Sequence, residues 1–535
     1  MKKFYLMILG FATAGSLQAQ LFFQPTNLET PGNYKICVVD INGDYFDDIV
    51  GVSNIGLHIN KQNPTGGFTY QAIPVPNISH MPSWSMAAGD LTANGFNDLL
   101  LGGGQGVSFL LANNTGTAYT HITTNNYVFS QRSNFVDINN DGHLDAFVCH
   151  DVAPNVYYMN DGEGNLTFHQ GGLGDFPSGG NYGSLWVDYN NDGHLDLHIT
   201  KCGGGLDRSR DNLFRNNGDG TFTEVAEEAG LGISTQGWSS AWGDFDNDGF
   251  MDVFVGVNSF ANGWHKMFRN NGDGTFTDIT SSTIFESIGG TSIEHFTFDF
   301  DNNGYLDIAG NGNRIFLNMG DFNFVEVSTP FSTGSVGDLN QDGFLDVYAG
   351  NNLYINQGNN NNWIIFNMEG VTSNRNGIGA RIEVTTNHRT MIREVRSGEG
   401  FRHMHTLNPH FGLGSDDIIE SVRVKWPSGV VDTYTNVGIN QIMMLTENAS
   451  NMAVEEVDRL RGIALYPNPA TDHFKVQIAE GFSAGSLEIM DASGKLLHTT
   501  TAIDQDVKIS HLAPGLYFVK ITIDGNTVNR KIIKK

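Results

Sequence analysis

Short apolar runs recur in pairs along most of this chain, each pair enclosing a nine-residue segment rich in aspartate. SLWVD leads into one such segment at Asp188, and LDLHIT leaves it, ending at Thr200. After a variable connection a third run ends in a glycine turn and a fourth follows, as in NLFRNNGDG from Asn212 and TFTEVAEEAG from Thr221. MFRNNGDGTFTDIT from Met267 repeats this pattern almost unchanged. Short apolar runs bounded by such punctuation read as strands. NGDG between two of them is a hairpin turn, because Asn, Asp and Gly tolerate positive φ. The predicted unit is four antiparallel strands.

Seven aspartate segments start at Asp40 (DINGDYFDD), Asp90 (DLTANGFND), Asp137 (DINNDGHLD), Asp188 (DYNNDGHLD), Asp244 (DFDNDGFMD), Asp299 (DFDNNGYLD) and Asp338 (DLNQDGFLD). Successive first aspartates lie 50, 47, 51, 56, 55 and 39 residues apart. That period, with no helical pattern between copies, predicts an all-β chain with a seven-bladed β-propeller over residues 20–360. LFFQP from Leu21 precedes the first segment as TFTEV precedes the fifth, and is expected to supply the outer strand of the seventh blade.

The spacing within each segment suits a hard cation. Calcium takes oxygen ligands at about 2.3–2.6 Å. Side chains at positions 1, 3 and 5 of a tight turn converge, a main-chain carbonyl at 7 adds a ligand, and Asp at 9 closes the shell. Glycine at 6 permits the bend. The expected ligands are Asp40, Asn42, Asp44 and Asp48; Asp137, Asn139, Asp141 and Asp145; Asp188, Asn190, Asp192 and Asp196; Asp244, Asp246, Asp248 and Asp252; Asp299, Asp301, Asn303 and Asp307; and Asp338, Asn340, Asp342 and Asp346. The second copy is poorest, keeping Asp90, Asn94 and Asp98 with Thr92 at position 3, and Tyr45 replaces glycine in the first. No Cys or His stands at a ligand position, which disfavours zinc and copper. About six structural calcium ions are expected.

The net charge of -28 is therefore largely local, since 21 carboxylates sit at positions 1, 3, 5 and 9. No basic stripe is present to neutralise phosphates, so nucleic acid is excluded as a partner. Residues 1–19 read as a signal peptide: Lys2 and Lys3, an apolar run from Phe4 to Ala14, then LQA before Gln20. That run is too short to span a bilayer, and no longer one follows. Three cysteines, Cys37, Cys149 and Cys202, exclude a fully paired framework and are expected as buried thiols.

The repeats resemble the FG-GAP/VCBS-type propeller repeats of integrin α-subunits and bacterial surface proteins. That resemblance implies acidic loops on the lower face and ligands on the opposite one. It makes GGGLDRSRD (Gly203–Asp211, with Asp207, Arg208 and Arg210) and NSFANGWH (Asn258–His265, with Trp264 and His265) candidate recognition loops, and Trp84 and Trp238 possible sugar platforms. Residues 363–446 resemble the ASPIC/UnbV domain through SNRNGIGARIEV from Ser373, HFGLG from His410 and VKWPSG from Val424. Arg402, His403, His405 and His410 cluster there without a sequence-adjacent carboxylate and read as structural.

After a polar linker (447–461), residues 462–535 resemble the type A sorting domain of the type IX secretion system. LYPNPATD from Leu465, DASGKLL from Asp491 and LAPGLYFVKI from Leu512 carry the match. It implies a Gram-negative cell, the type IX machinery as partner, and a secreted or surface-attached product.

No GxSxG, HExxH or phosphate loop is present. The leading reading is a calcium-stabilised secreted or cell-surface adhesion protein that binds a glycan or protein. The alternative is an exported polysaccharide lyase, for which His265, Lys266, Arg208 and Arg210 are the nearest candidates.

Overall fold

The computed structural model describes residues 21–174, 179–449, 464–466, 470–477, 485–490, 495–501, 506–523 and 526–535. The expected signal peptide and most of the linker lie outside the described residues. Seven four-stranded antiparallel sheets form blades 1 to 7: 34–74, 85–123, 130–170, 181–224, 237–278, 295–328, and 335–356 with the N-terminal strand. The first strand of each blade packs against that of a neighbour, so these strands ring an axis.

Burial follows from this arrangement. Inner strands such as Ser85–Gly89 and Asp98–Gly102 are buried at every position, because blades cover both their faces. Outer strands such as Phe68–Pro74 are buried at few. Phe23–Asn27 pairs antiparallel with Asn352–Asn356 as the outer strand of blade 7, so the chain's beginning closes the ring. Blade 7 thereby has four strands like the others. Cys37 and Cys149 are buried and Cys202 is partly buried; all three are free thiols.

A second domain packs on the propeller within the same compact unit. It has a three-stranded sheet (His410–Gly414, Asn362–Glu369, Gln441–Thr446) and a four-stranded one (Thr390–Glu394, Arg381–Thr386, Ile419–Lys425, Val431–Tyr434). Its Phe366, Ile382, Phe411 and Val424 share one apolar cluster with Leu100, Phe109 and Phe135 of blades 2 and 3.

The C-terminal unit is separate. A three-stranded sheet and a four-stranded sheet enclose a core of Phe474, Leu487, Ile489, Val519 and Ile521.

Candidate functional site

Each aspartate segment is the turn between the first two strands of its blade, and its first aspartate organises it. In all seven copies Oδ1 of position 1 accepts the N–H of position 5 and Oδ2 that of position 6, at 2.7–3.2 Å. The aspartate at 9 is held equally regularly. Its Oδ2 accepts the N–H of position 2 at 2.8–3.3 Å in six copies, and that of position 3, Thr92, at 3.0 Å in blade 2. Its Oδ1 accepts an N–H at the end of the third strand at 2.6–2.8 Å. Tyr45, at φ 70°, makes the same bond as the glycines, so the first loop keeps the common geometry.

Carboxylates thus converge, and in blade 5 the Arg269 guanidinium reaches two of them, Asp246 (2.7 Å) and Asp248 (3.1 Å). Ligand oxygens of Asp244, Asp246 and Asp252 lie within 4.8 Å of one another, as do those of Asp299, Asp301 and Asp307. Burial pushes Asp244 up to about 7, Asp196 and Asp48 up to about 9, and Asp252 and Asp307 well above the usual carboxylate range. Two elements here favour a hard divalent ion: an all-oxygen donor set and like charges crowded at low dielectric.

Blade 2 departs from the pattern. Thr92, at position 3, donates to Asp98 Oδ2 through both its N–H (3.0 Å) and its Oγ1 (3.2 Å). The Arg375 guanidinium of the second domain lies 3.8 Å from Asp90 Oδ2. Asp90, Asn94 and Asp98 thus form a self-bonded turn with an arginine at its edge, which also pairs with Glu369 (3.2 Å).

Two recurrent residues outside the predicted ligand sets tie the loops together. Position 4 is left-handed in every copy (φ 52–78°), which is why Asn is common there. Asn191, Asn247 and Asn302 use that pose to donate to Gly249, Gly304 and Gly343 carbonyls in the next blade's loop at 3.0–3.2 Å. The asparagine ending the third strand reaches the preceding blade: Asn270 Nδ2 donates to Tyr189 O (2.8 Å) and Met251 O (3.0 Å). Asn318 and Asn356 likewise reach Phe245 O and Phe300 O, both at 2.8 Å. The recurring Asn in DxxND and RNNGDG was the available signal.

The second domain docks on this loop face through cationic and polar groups. Arg381 Nη2 donates to Gly249 O (2.6 Å), Arg389 Nη1 to Asn303 O (2.9 Å) and His410 Nε2 to Gly343 O (3.0 Å). Between its strands ending at Glu394 and starting at His410, a strap threads the propeller axis. Met404 N and O bond Ile36 O and Val38 N (2.8 and 3.0 Å), Thr406 N donates to Val336 O (2.8 Å), and Arg396 Nη1 donates to Trp242 O (3.0 Å). Asn134 Nδ2 donates to Ser397 O (3.1 Å), and fully buried Arg132 donates through Nη1 to His403 O (2.9 Å).

His403, His405 and His410 are all buried in this seam. The carboxylate that sequence adjacency failed to supply comes from blade 6. Glu294 accepts Phe401 N–H (2.7 Å) and Arg402 N–H (3.0 Å) and lies 3.3 Å from His403 Nδ1. Burial alone would raise its pKa; His403 and these N–H groups hold it below the ordinary value.

The strap tip emerges at the starts of the first strands, the face opposite the acidic loops. Phe401 is fully buried against Trp238 (4.9 Å between ring centroids), Trp84 (5.8 Å) and Tyr182 (6.3 Å). Trp84 and Trp238 therefore cap the strap, and each remains partly exposed. Tyr182 OH donates to Asp151 (3.3 Å), which pairs with Arg208 (3.2 Å).

The remaining candidates fall differently. The Asp207 side chain lies outside the described residues. Arg210 pairs with Glu224 and Glu227, and Lys266 with Asp278. His265 is no ligand group: it is fully buried, with Nδ1 accepting Val257 N–H (3.1 Å) and Nε2 donating to Gly290 O (3.0 Å). Trp264 is 48% exposed and stacks on Phe260. Of the four residues named for a lyase, His265 is buried and the other three form partly exposed ion pairs.

Comparison with known proteins agrees with this architecture. Residues 370–452 match the ASPIC and UnbV family, and 137–199, 188–255 and 257–310 match the FG-GAP-like repeat. Residues 236–275 match the FG-GAP repeat and 464–535 the secretion system C-terminal sorting domain. Cartilage acidic protein 1 of Homo sapiens is 31% identical over 256 residues, covering 41% of this chain and 37% of the relative. The Mus musculus protein is 29% identical over 256 residues, covering 41% and 38%. The matched region thus spans less than two fifths of either curated relative. An Agrocybe aegerita lectin structure, described as recognising non-reducing terminal N-acetylglucosamine, aligns at 19% identity and a TM-score of 0.40, over 58% of this chain and 82% of the lectin. Among the described residues no helix is long and apolar enough to cross a membrane. The chain carries FG-GAP repeats on a β-propeller, an ASPIC and UnbV domain, and a secretion system C-terminal sorting domain that marks it for export to a secreted or surface location.

Proposed function

We propose that this chain is a calcium-stabilised, exported binding protein that meets a glycan or protein ligand on the propeller face opposite its acidic loops. The observation that carries the reading is the strap: a second domain docked on the loop face delivers Phe401 and Arg402 through the axis to the opposite face. There Arg402 joins the partly exposed Trp84, Tyr182 and Trp238 around the buried Phe401 ring. Bound calcium would neutralise crowded carboxylates and cross-link the turns of six blades; blade 2 uses Arg375 instead. The sorting domain would pass the chain through the type IX machinery across the outer membrane of a Gram-negative cell, for release or attachment.

The test is retention of the exported chain, in calcium, on a panel of immobilised polysaccharides and surface proteins, with polymer length read from the same samples. Retention without shortening supports the reading. Shortened polymer, above all with new unsaturated ends, would make the chain an enzyme and overturn it.

A further inference from the structure

We infer that Arg402 is the ligand-contacting cation of the upper face, and that the ligand is an acidic glycan presenting a carboxylate. This inference rests on the binding function proposed above and names its ligand class.

Arg402 is held in place before any ligand arrives. Its neighbour Phe401 is locked among three aromatic rings, and its own N–H is bonded to Glu294. Its side chain is 33% exposed, with Cζ 5.8 Å from the centre of the Trp84 ring. Among the described residues its ion pair is a 3.9 Å approach of Nε to Glu294, beyond hydrogen-bond reach. Glu294 is already satisfied by two backbone N–H groups and His403, with the buried Arg132 charge nearby. The Arg402 guanidinium thus keeps its donors for an external acceptor, and a carboxylate matches that planar fork.

The surrounding rings select the rest of the ligand. Trp84, Trp238 and Tyr182 are each partly exposed around the tip. Aromatic surface beside a polar group suits a pyranose ring, whose C–H face stacks while its substituents hydrogen-bond. A cation backed by such rings fits a uronate sugar better than a protein carboxylate on a flexible side chain, since one rigid ring presents both features.

The experiment compares polygalacturonate with its methyl ester, which keeps the sugar and removes the charge. Binding to the full exported chain would be measured at fixed calcium. The wild-type chain should bind the acid form roughly tenfold or more tightly than the ester, as one charge-assisted contact allows. Arg402→Gln should erase that preference, and Arg402→Lys should retain part of it; far-ultraviolet circular dichroism and melting temperature confirm that both variants fold. Equal binding of acid and ester, or a preference that survives in Arg402→Gln, overturns the inference. Retention of neutral glycans or proteins alone overturns it while leaving the binding function standing. Retention of nothing on either panel overturns both.

Discussion

The side-chain amide of Asn247, in the acidic loop of blade 5, donates to the carbonyl of Gly304 in the loop of blade 6 across 3.2 Å. Asn191 and Asn302 repeat this contact on either side, so successive loops are joined by hydrogen bonds that involve no metal ligand side chain. On the loop face, blades 4 to 7 are thus linked in series independently of any cation the acidic segments would hold.

Two variants separate the clamp from the backbone. Asn247 sits at φ 58°. Asn247→Gly keeps that pose and should cost about 1 kcal/mol for the lost hydrogen bond. Asn247→Ala adds the left-handed penalty and should cost about 2–3 kcal/mol. Denaturant unfolding in saturating calcium reads both. Equal costs would show that the amide, and not the conformation, accounts for asparagine there.

Asn270 should be more sensitive. It is almost fully buried and satisfies two carbonyls on two blades. Asn270→Leu leaves both without a donor, at about 1–3 kcal/mol each. Amide exchange should speed up in blades 4 and 5 before it does in blade 1; a uniform change would contradict a local inter-blade latch.

Gly398 tests the strap. Its φ is 96°, and a Cβ there would overlap the Arg132 guanidinium. Gly398→Ala should unseat the strap tip, shift Trp84 and Trp238 fluorescence to longer wavelength and weaken binding on the upper face. Unchanged emission would mean that the tip tolerates displacement.

Stability should fall with rising pH in chelator and lose most of that slope in calcium. Burial raises Asp244 to about 7 and Asp196 to about 9, whereas unfolded aspartates titrate near 3.9. Such groups take up protons on folding, so without metal their stability contribution is full below about pH 4 and is lost as pH rises through about 7 to 9. Calcium displaces those protons, so its stabilising increment should grow over the same window. Melting temperatures across that range, with chelator and with calcium, check both slopes. A calcium increment that shrinks as pH rises would contradict the assignment of these carboxylates as ligands.

The propeller was legible because its determinants are local and repeated: the DxxxDG spacing, the NGDG turns and the paired apolar runs each specify a turn or strand without long-range information. LFFQP could be placed by register alone, and Phe23–Asn27 occupies that position. What sequence order hid was contact between distant segments. Arg375 meets Asp90 from 285 positions away, and Glu294 meets His403 from another domain. That Trp84 and Trp238 pack on Phe401, more than 150 positions away, was equally hidden. His265 read as a loop residue, yet its ring fills the blade 5 connection as a backbone ligand on both nitrogens.

The most direct test of the account is a calcium count on the folded, exported chain, with melting temperature followed as the ion is removed and restored. At a dissociation constant near 0.1 mM and about 1 mM calcium, each site contributes about 1.4 kcal/mol, or about 8 kcal/mol for six. The account predicts six ions per chain, not seven, and a large reversible fall in melting temperature on chelation. A chain that binds no calcium, or whose stability is indifferent to its removal, would contradict it.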